Sequence, residues 1–356
     1  MKRCLVISDS FKGTLSSPAI CCIARSLAVP GWQVDALPVA DGGEGTVDCF
    51  LDACGGQRVT AVVSDPFGAE AESFYGLLPD GTAVVECAAA AGLPLAEGRL
   101  DPERTTTYGV GQLMAAALDN GAKRLILGLG GSCTNDGGCG AAAALGVRFF
   151  DRQGRSFVPT GITLADIADI DLSRRHPALD DVPLTVMCDI DNPLYGALGA
   201  AYVFAPQKGA DAACVQRLDE GLRHFAAVLR QRLGIPVDKL PGGGAAGGFG
   251  AGCAALLGGT LRSGIETVLD TVDFDRRAAG YDLVVTGEGR LDSQSLGGKV
   301  VSGVAGRCHA LGVPAAALGL CSARSINPAG VTLQDAKAHA AAYYRDALVK
   351  LLEEVS

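Results

Sequence analysis

Residues 34–46 read Val34-Asp35-Ala36-Leu37-Pro38-Val39-Ala40-Asp41-Gly42-Gly43-Glu44-Gly45-Thr46. The apolar stretch 34–37 reads as a strand. It stops at a glycine-rich turn carrying two acids, and a helix is expected beyond it. Strand, glycine loop, helix is the rhythm of an α/β fold. Upstream the transition recurs: Cys4-Leu5-Val6-Ile7 runs into polar Ser8-Asp9-Ser10. A short continuous apolar run bounded by loop residues suits a parallel strand buried on both faces. Ser16 or Ser17 then caps a helix toward Leu27, with Pro18 in its first turn. Downstream, residues 125–127, 184–187, 283–285 and 313–320 read as further buried strands. Residues 70–78 and 82–86 alternate like a hairpin about Pro79-Asp80-Gly81. Helices are expected over 111–120, 140–145, 215–233 and 333–352.

The chain has 356 residues, 48% of them apolar and 19% charged. That length suits two domains, or one large α/β domain with an insertion. The apolar content fills a core and is too high for a disordered chain. A net charge of −9 and the lack of any long basic run argue against nucleic acid as a partner. The 13 cysteines form no C-x-x-C pair, which excludes zinc-ribbon and thioredoxin readings. Free thiols in a reducing, cytoplasmic compartment are the simpler account. The apolar run after Lys2-Arg3 falls short of the roughly 7–15 residues of a secretory core. No stretch approaches the roughly 18–20 residues of a membrane span, so no membrane partner is expected.

Polar residues gather just after strand after strand, and ligands of open parallel sheets bind outside the carboxyl ends of the strands. Four such loops carry acids beside glycine: Asp9-Ser10-Phe11-Lys12-Gly13, Asp41-Gly42-Gly43-Glu44-Gly45-Thr46, Asp189-Ile190-Asp191-Asn192-Pro193 and Gly287-Glu288-Gly289-Arg290-Leu291-Asp292. A lone acid after a strand is usually a turn former or a helix cap. Four together point elsewhere: glycine lets backbone N–H groups approach phosphate oxygens, and carboxylates hold Mg²⁺. A fifth loop, Gly130-Gly131-Ser132-Cys133-Thr134-Asn135-Asp136-Gly137-Gly138, precedes an alanine-rich helix. It suits a phosphate cradle at a helix N-terminus. Lys12, Lys208 and Lys299 each adjoin glycine, where an ammonium can meet a phosphate as a point charge.

Other templates fail. There is no Walker-A sequence and no protein-kinase signature set. Gly242-x-Gly244-x-x-Gly247 matches a dinucleotide fingerprint in letters but follows Pro241 rather than a strand, which disfavours a dehydrogenase. His176, His224, His309 and His339 lie away from the glycine loops, against a histidine triad or a zinc site.

Taken together, six stretches resemble the bacterial glycerate kinase family, the type that includes the glycerate 2-kinases. They are the Asp9–Gly13 motif, residues 40–46, 130–138 and 188–194, Phe204-Ala205-Pro206-Gln207-Lys208-Gly209-Ala210, and residues 286–299. Cys133 stands where the family usually has Ala, and Ser295 where Thr is usual. Tyr195-Gly196-Ala197-Leu198-Gly199 departs from the usual turn, and the part after Leu320 matches poorly.

The resemblance implies an α/β protein of two domains. One, from residues 1–63 and 278–356, has a parallel flavodoxin- or Rossmann-like sheet. The other, residues 64–277, is inserted and has a mixed sheet, with the active site in the cleft. The implied activity is ATP- and Mg²⁺-dependent phosphorylation of D-glycerate at its 2-hydroxyl, giving 2-phosphoglycerate and ADP. Asp189, or else Asp191, would be the base, with Lys12 and Asp9 beside it. Ser10, Lys12, Asn192, Glu288, Arg290 and Asp292 would bind glycerate. Gly130, Gly131, Ser132, Thr134, Asn135, Asp136, Gln207, Lys208 and Lys299 would bind the nucleotide phosphates. Asp41, Glu44 or Asp191 would hold Mg²⁺. A monomer or homodimer is expected. The alternatives are a kinase of another short hydroxy acid, or a non-catalytic anion-binding protein.

Overall fold

The structure, a computed structural model, describes residues 1–11, 14–288, 300–319, 325–327 and 331–355. Its strands are β1 (Lys2–Ser8), β2 (Trp32–Pro38), β3 (Gln57–Ser64), β4 (Glu70–Leu77), β5 (Thr82–Glu86) and β6 (Arg124–Gly128). There follow β7 (Arg148–Phe150), β8 (Ser156–Phe157), β9 (Asp169–Asp171) and β10 (Leu184–Met187). Last come β11 (Thr260–Arg262), β12 (Leu283–Glu288) and β13 (Ala315–Gly319). The chain separates into two compact units. One comprises Met1–Asp41, Asp48–Gly55 and Ser263–Ser356; the other comprises Gly42–Val47 and Gly56–Arg262.

The first unit is built on a sheet of order β13-β12-β1-β2, parallel throughout. Its central strand is buried on both faces from Cys4 to Ser8, as the unbroken apolar run requires. The helix Ser17–Arg25 starts as expected. Ser16 accepts a hydrogen bond from the Ala19 N–H, and Pro18 lies in the first turn, where its missing N–H costs nothing. The Ser17 hydroxyl donates to the Ser8 carbonyl (2.7 Å) and accepts from the Val39 N–H (2.9 Å). One side chain thus stitches together the carboxyl ends of β1 and β2. The C-terminal helix Ala340–Glu354 buries Tyr344, Leu348, Leu351 and Leu352 in this unit's core. Phe11 meets Tyr344 edge to face at 5.7 Å. The predicted single helix over 333–352 is in fact two, Leu333–Ala338 and Ala340–Glu354, broken at His339.

The second unit holds a mixed sheet of order β11-β10-β6-β5-β4-β3. β5, β6, β10 and β11 are parallel; β3 and β4 join antiparallel. A three-stranded antiparallel sheet, β8-β7-β9, lies apart from it. The core takes its largest side chains from Tyr75, Phe149, Phe225 and Phe249. A parallel sheet and a separate mixed sheet make the α/β fold class expected.

The longer stretch of the second unit runs from Gly56 to Arg262. β3 pairs residue by residue with β4 along its whole length, which places it in the second unit. The helices Gly264–Thr271 and Phe274–Ala278 pack on helix Val300–Leu311. Arg307 there bonds Glu266, Asp270 and Asp275, which ties both helices to the first unit. The cysteines of the described residues are free thiols. Among the described residues, no helix is long and apolar enough to cross a membrane.

Candidate active site

In the second unit, three loops leave the carboxyl ends of β5, β6 and β10 side by side. Gly128 ends β6, and an added Cβ there would stand 2.4 Å from the Gly42 carbonyl oxygen. A Cβ on Gly130 would stand 2.5 Å from the Gly43 Cα. Glycine at both positions lets the 42–45 loop lie directly on the strand ends, and the Gly130 N–H donates to the Gly42 carbonyl at 2.9 Å. Gly42 itself needs a positive φ of 89° and sits beside Met187, the last residue of β10.

Glu86, at the end of β5, holds the other side of this loop. It is almost wholly buried, and its carboxylate accepts from the N–H groups of Gly45 (3.0 Å) and Val47 (2.7 Å). An acceptor at a helix N-terminus satisfies donors that the helix leaves open and meets the positive end of its dipole. With that loop fixed, Glu44 is exposed, and no ion pair or hydrogen bond among the described residues engages it. Asp189 and Asp191 are exposed just past β10. The half-buried Asn192 donates its amide to the Leu198 carbonyl at 2.8 Å, an exposed bond within the loop.

The loop 130–138 is braced from one side. The Leu93 N–H donates to the Gly131 carbonyl, and the Cys133 N–H donates to the Ala91 carbonyl, each at 2.9 Å. Between and beyond those braces, the N–H groups of Gly131, Ser132, Thr134 and Asn135 have no acceptor among the described residues. The buried Thr134 hydroxyl and both polar atoms of the buried Asn135 amide are likewise without partners. Gly131 is exposed, whereas Ser132, Thr134 and Asn135 are buried; buried donors and acceptors are nearly always satisfied, so the open ones mark where a ligand or ordered water supplies the missing partner.

Two residues expected at the phosphate turn inward. Asp136 is wholly buried and accepts from the Thr107 N–H (2.7 Å) and hydroxyl (2.9 Å) and from the Gly138 (3.0 Å) and Gly140 (3.2 Å) N–H groups. Burial pushes its carboxyl up, while these donated hydrogen bonds oppose the shift. Asp136 therefore shapes the turn into helix Cys139–Ala144. Lys208 is 2% exposed. Its ammonium donates to the Ser132 hydroxyl (3.0 Å) and the Thr134 carbonyl (2.6 Å). Burial pushes it down from 10.5 to about 8, against the pull of Cys87, Cys133 and Asp136. Neighbouring Gln207 is exposed.

In the first unit, Asp9 follows β1, and Glu288 ends the paired strand β12. Ser8 is opposite Gly287, and the Asp9 N–H donates to the Gly287 carbonyl at 2.9 Å. Asp9 accepts from the Ser10 N–H at 2.7 Å. Glu288 is buried, and among the described residues its Oε1 has no partner, as is true of the Thr286 hydroxyl on the same strand. Asp41 is exposed beyond β2. Lys12, Arg290, Asp292 and Lys299 lie outside the described residues.

Glu86 and the buried role of Lys208 were missed by sequence reasoning. An acid closing the apolar run Ala83-Val84-Val85 was the available signal for Glu86. Nothing around Lys208 distinguishes an inward lysine from an outward one.

The profile of the glycerate kinase family matches residues 4–346, a span that takes in the part after Leu320. The chain is 43% identical to a glycerate kinase of Bacillus subtilis, with 96% of this chain and 94% of that one covered. It is 43% identical to a glycerate 2-kinase of Escherichia coli, covering 85% and 81%. A crystal structure of a candidate glycerate kinase 2 from Salmonella typhimurium LT2 superposes with a TM-score of 0.87 at 39% identity, covering 99% of this chain and 98% of that one. On the profile match and on these identities, the chain belongs to the glycerate kinase family and is a kinase.

Proposed function

We propose that the chain transfers the γ-phosphoryl group of ATP, with Mg²⁺, to the 2-hydroxyl of D-glycerate, yielding 2-phosphoglycerate and ADP. The observation that carries the phosphate half is the row of open donors in the loop 130–138: four backbone N–H groups, the Thr134 hydroxyl and the Asn135 amide. The acceptor and its position rest on the designations of the relatives, that of the Escherichia coli protein in particular.

Phosphoryl transfer asks mainly for positioning and charge neutralisation. The open N–H groups cradle phosphate oxygens. Asp189, exposed just past β10, the strand that pairs with β6, accepts the proton of the attacking hydroxyl, and Asp191 is the second candidate. Among the described residues no group of three or more His, Cys, Asp or Glu could hold a metal by itself. Mg²⁺ commonly takes only one or two protein carboxylates and completes its shell with phosphates and water. That fits an ion that arrives with the nucleotide and meets Glu44, Asp41 or Asp191; it supplies neutralisation of phosphate charge. Asp9, Ser10 and the unpartnered Glu288 oxygen are the groups of the first unit suited to glycerate's hydroxyls. Lys12 or Arg290 would meet its carboxylate.

A coupled ADP-release assay with ATP, Mg²⁺ and D-glycerate tests this directly, with phosphorus NMR of the product to locate the ester. Absence of glycerate-dependent ADP release overturns the proposal. An ester at the 3-hydroxyl overturns its position. Asp189→Asn should lower turnover by about 10²–10⁴-fold while MgATP still binds.

A further inference from the structure

Lys208 is the least expected group in the second unit: a fully buried ammonium beneath a loop whose outward donors are open. Its backbone is fixed, because it closes the turn Pro206–Lys208 with its N–H on the Ala205 carbonyl at 2.9 Å. Gly209 then turns away at a φ of 98°, where an added Cβ would meet Leu100 at 2.8 Å.

The two acceptors of the ammonium constrain the loop differently. An ammonium donates and cannot accept. Ser132 must therefore present a lone pair to it at 3.0 Å, and its own proton, which has no acceptor among the described residues, is left to point elsewhere. The Thr134 carbonyl, held at 2.6 Å, belongs to the same peptide plane as the Asn135 N–H. In a trans peptide those two groups point in opposite directions. Pinning the carbonyl toward Lys208 thus aims the open Asn135 N–H away from it.

We infer that Lys208 is a positioning residue for phosphate binding, orienting the Ser132 hydroxyl and the Asn135 N–H as donors toward an anion that it does not itself touch. This rests on the reading of loop 130–138 as the phosphate site. The ionisable groups facing Lys208 are Cys87, Cys133 and Asp136. Both thiols are pushed up by burial and stay neutral, leaving Asp136 as the facing acid. When Lys208 loses its proton, the free amine becomes an acceptor. Ser132 can then donate to it, and the loop loses an outward donor. With the ammonium's pKa near 8, the switch lies within the range where the enzyme can be assayed.

The test is calorimetric affinity for MgATP between pH 7 and 9.5, a readout that needs no turnover. Wild type should lose about tenfold in affinity across that range, the scale of one charge-assisted hydrogen bond. Ser132→Ala should be weaker at pH 7 and show a flatter profile. Lys208→Met should bind about tenfold more weakly at pH 7, and the loss should shrink to less than about threefold in a Ser132→Ala background. Lys208→Arg should move the alkaline loss to higher pH. A Ser132→Ala profile that keeps the full alkaline loss overturns the inference whether or not Lys208→Met folds. So does a folded Lys208→Met with wild-type affinity. Wild type that fails to bind MgATP overturns the phosphate-loop reading as well. Wild type that binds without a pH dependence overturns the Lys208 inference alone.

Discussion

Replacing Gly128 by Ala adds one carbon, and the structure says where it lands. Gly128 has no positive φ, so alanine is free to adopt its backbone, and any effect is steric. The new Cβ would lie 2.4, 2.9 and 3.0 Å from the oxygen, carbonyl carbon and Cα of Gly42. All three are main-chain atoms, which no rotamer change can move. Reaching an ordinary contact of about 3.4 Å requires the 42–45 loop to lift by about 1 Å. Met187 also lies against Gly42, which limits a sideways slide. The hydrogen bond from Gly130 to the Gly42 carbonyl is then stretched, and Glu44 moves with the loop. A misplacement of that size costs on the order of 10²-fold in rate where a group must be positioned for reaction. Overpacking of this kind costs about 1–3 kcal/mol in stability. The assay is kcat/KM for glycerate at saturating MgATP, beside a thermal melt. A Gly128→Ala enzyme with wild-type kcat/KM and wild-type Tm would refute the claim that the loop is seated on the strand end. A lowered Tm with unchanged kcat/KM would show that the position of Glu44 does not limit the reaction.

The same substitution at Gly306, inside helix Val300–Leu311 with open space around its Cβ, should do the opposite. It should raise stability by about 0.5–1 kcal/mol, measured by urea titration, and a lower midpoint would contradict it. Glu86→Gln keeps one acceptor for the Gly45 and Val47 N–H groups but turns an NH₂ on the other. It should cost about 1–3 kcal/mol and raise KM for MgATP; unchanged melting and KM would remove Glu86 as the anchor of the loop. Burial pushes Cys4 and Cys21 up to about 12 and Cys133 up to about 11, from an ordinary 9.0. Above pH 9 the unfolded chain therefore gives up protons that the folded one keeps. Stability from these groups is intact below pH 9 and falls as pH rises toward 11–12. Urea midpoints should drop across pH 9–10.5, and a flat profile would count against buried thiols.

Much of the fold was legible because parallel strands buried on both faces announce themselves as apolar runs. β1, β2, β6, β10, β12 and β13 all lie where such runs are, and the hairpin β4–β5 lies about its Pro-Asp-Gly turn. β3 was not legible: it is an edge strand whose outer positions are polar or exposed, beginning Gln57-Arg58. β7, β8 and β9 have three, two and three residues, too few for a period. Residues 245–256 are rich in glycine, which weakens any helical signal. They form a helix entered through left-handed backbone at Ala246, Gly247 and Gly248. The helix expected over 215–233 begins at Ala212 and ends in a wider π turn at Leu229–Leu233.

The site was legible as a set of loops and not as a set of contacts. Glycine beside acid or hydroxyl after a strand is a local signal, and it led to residues 42–46 and 130–138. Whether a polar side chain points out or in depends on tertiary partners. Asp136 turns in because Thr107 offers it two donors from 29 positions away. Lys208 turns in because Ser132 and Thr134 wait for it 76 and 74 positions away. No reading of neighbours in sequence contains that information.

The order of strands in the first unit bears on how the protein is made. β1 lies between β2 and β12, yet roughly 240 residues of chain separate Pro38 from Leu283. At ribosomal speeds of about 5–20 residues per second, β1 and β2 wait on the order of ten seconds to a minute for their neighbour. Meanwhile Gly56–Arg262 can emerge and settle into the larger unit. The nascent β1–β2 ribbon, with Cys4 to Ile7 uncovered, is a natural client for a chaperone, and polypeptides truncated before Leu283 should aggregate through that edge.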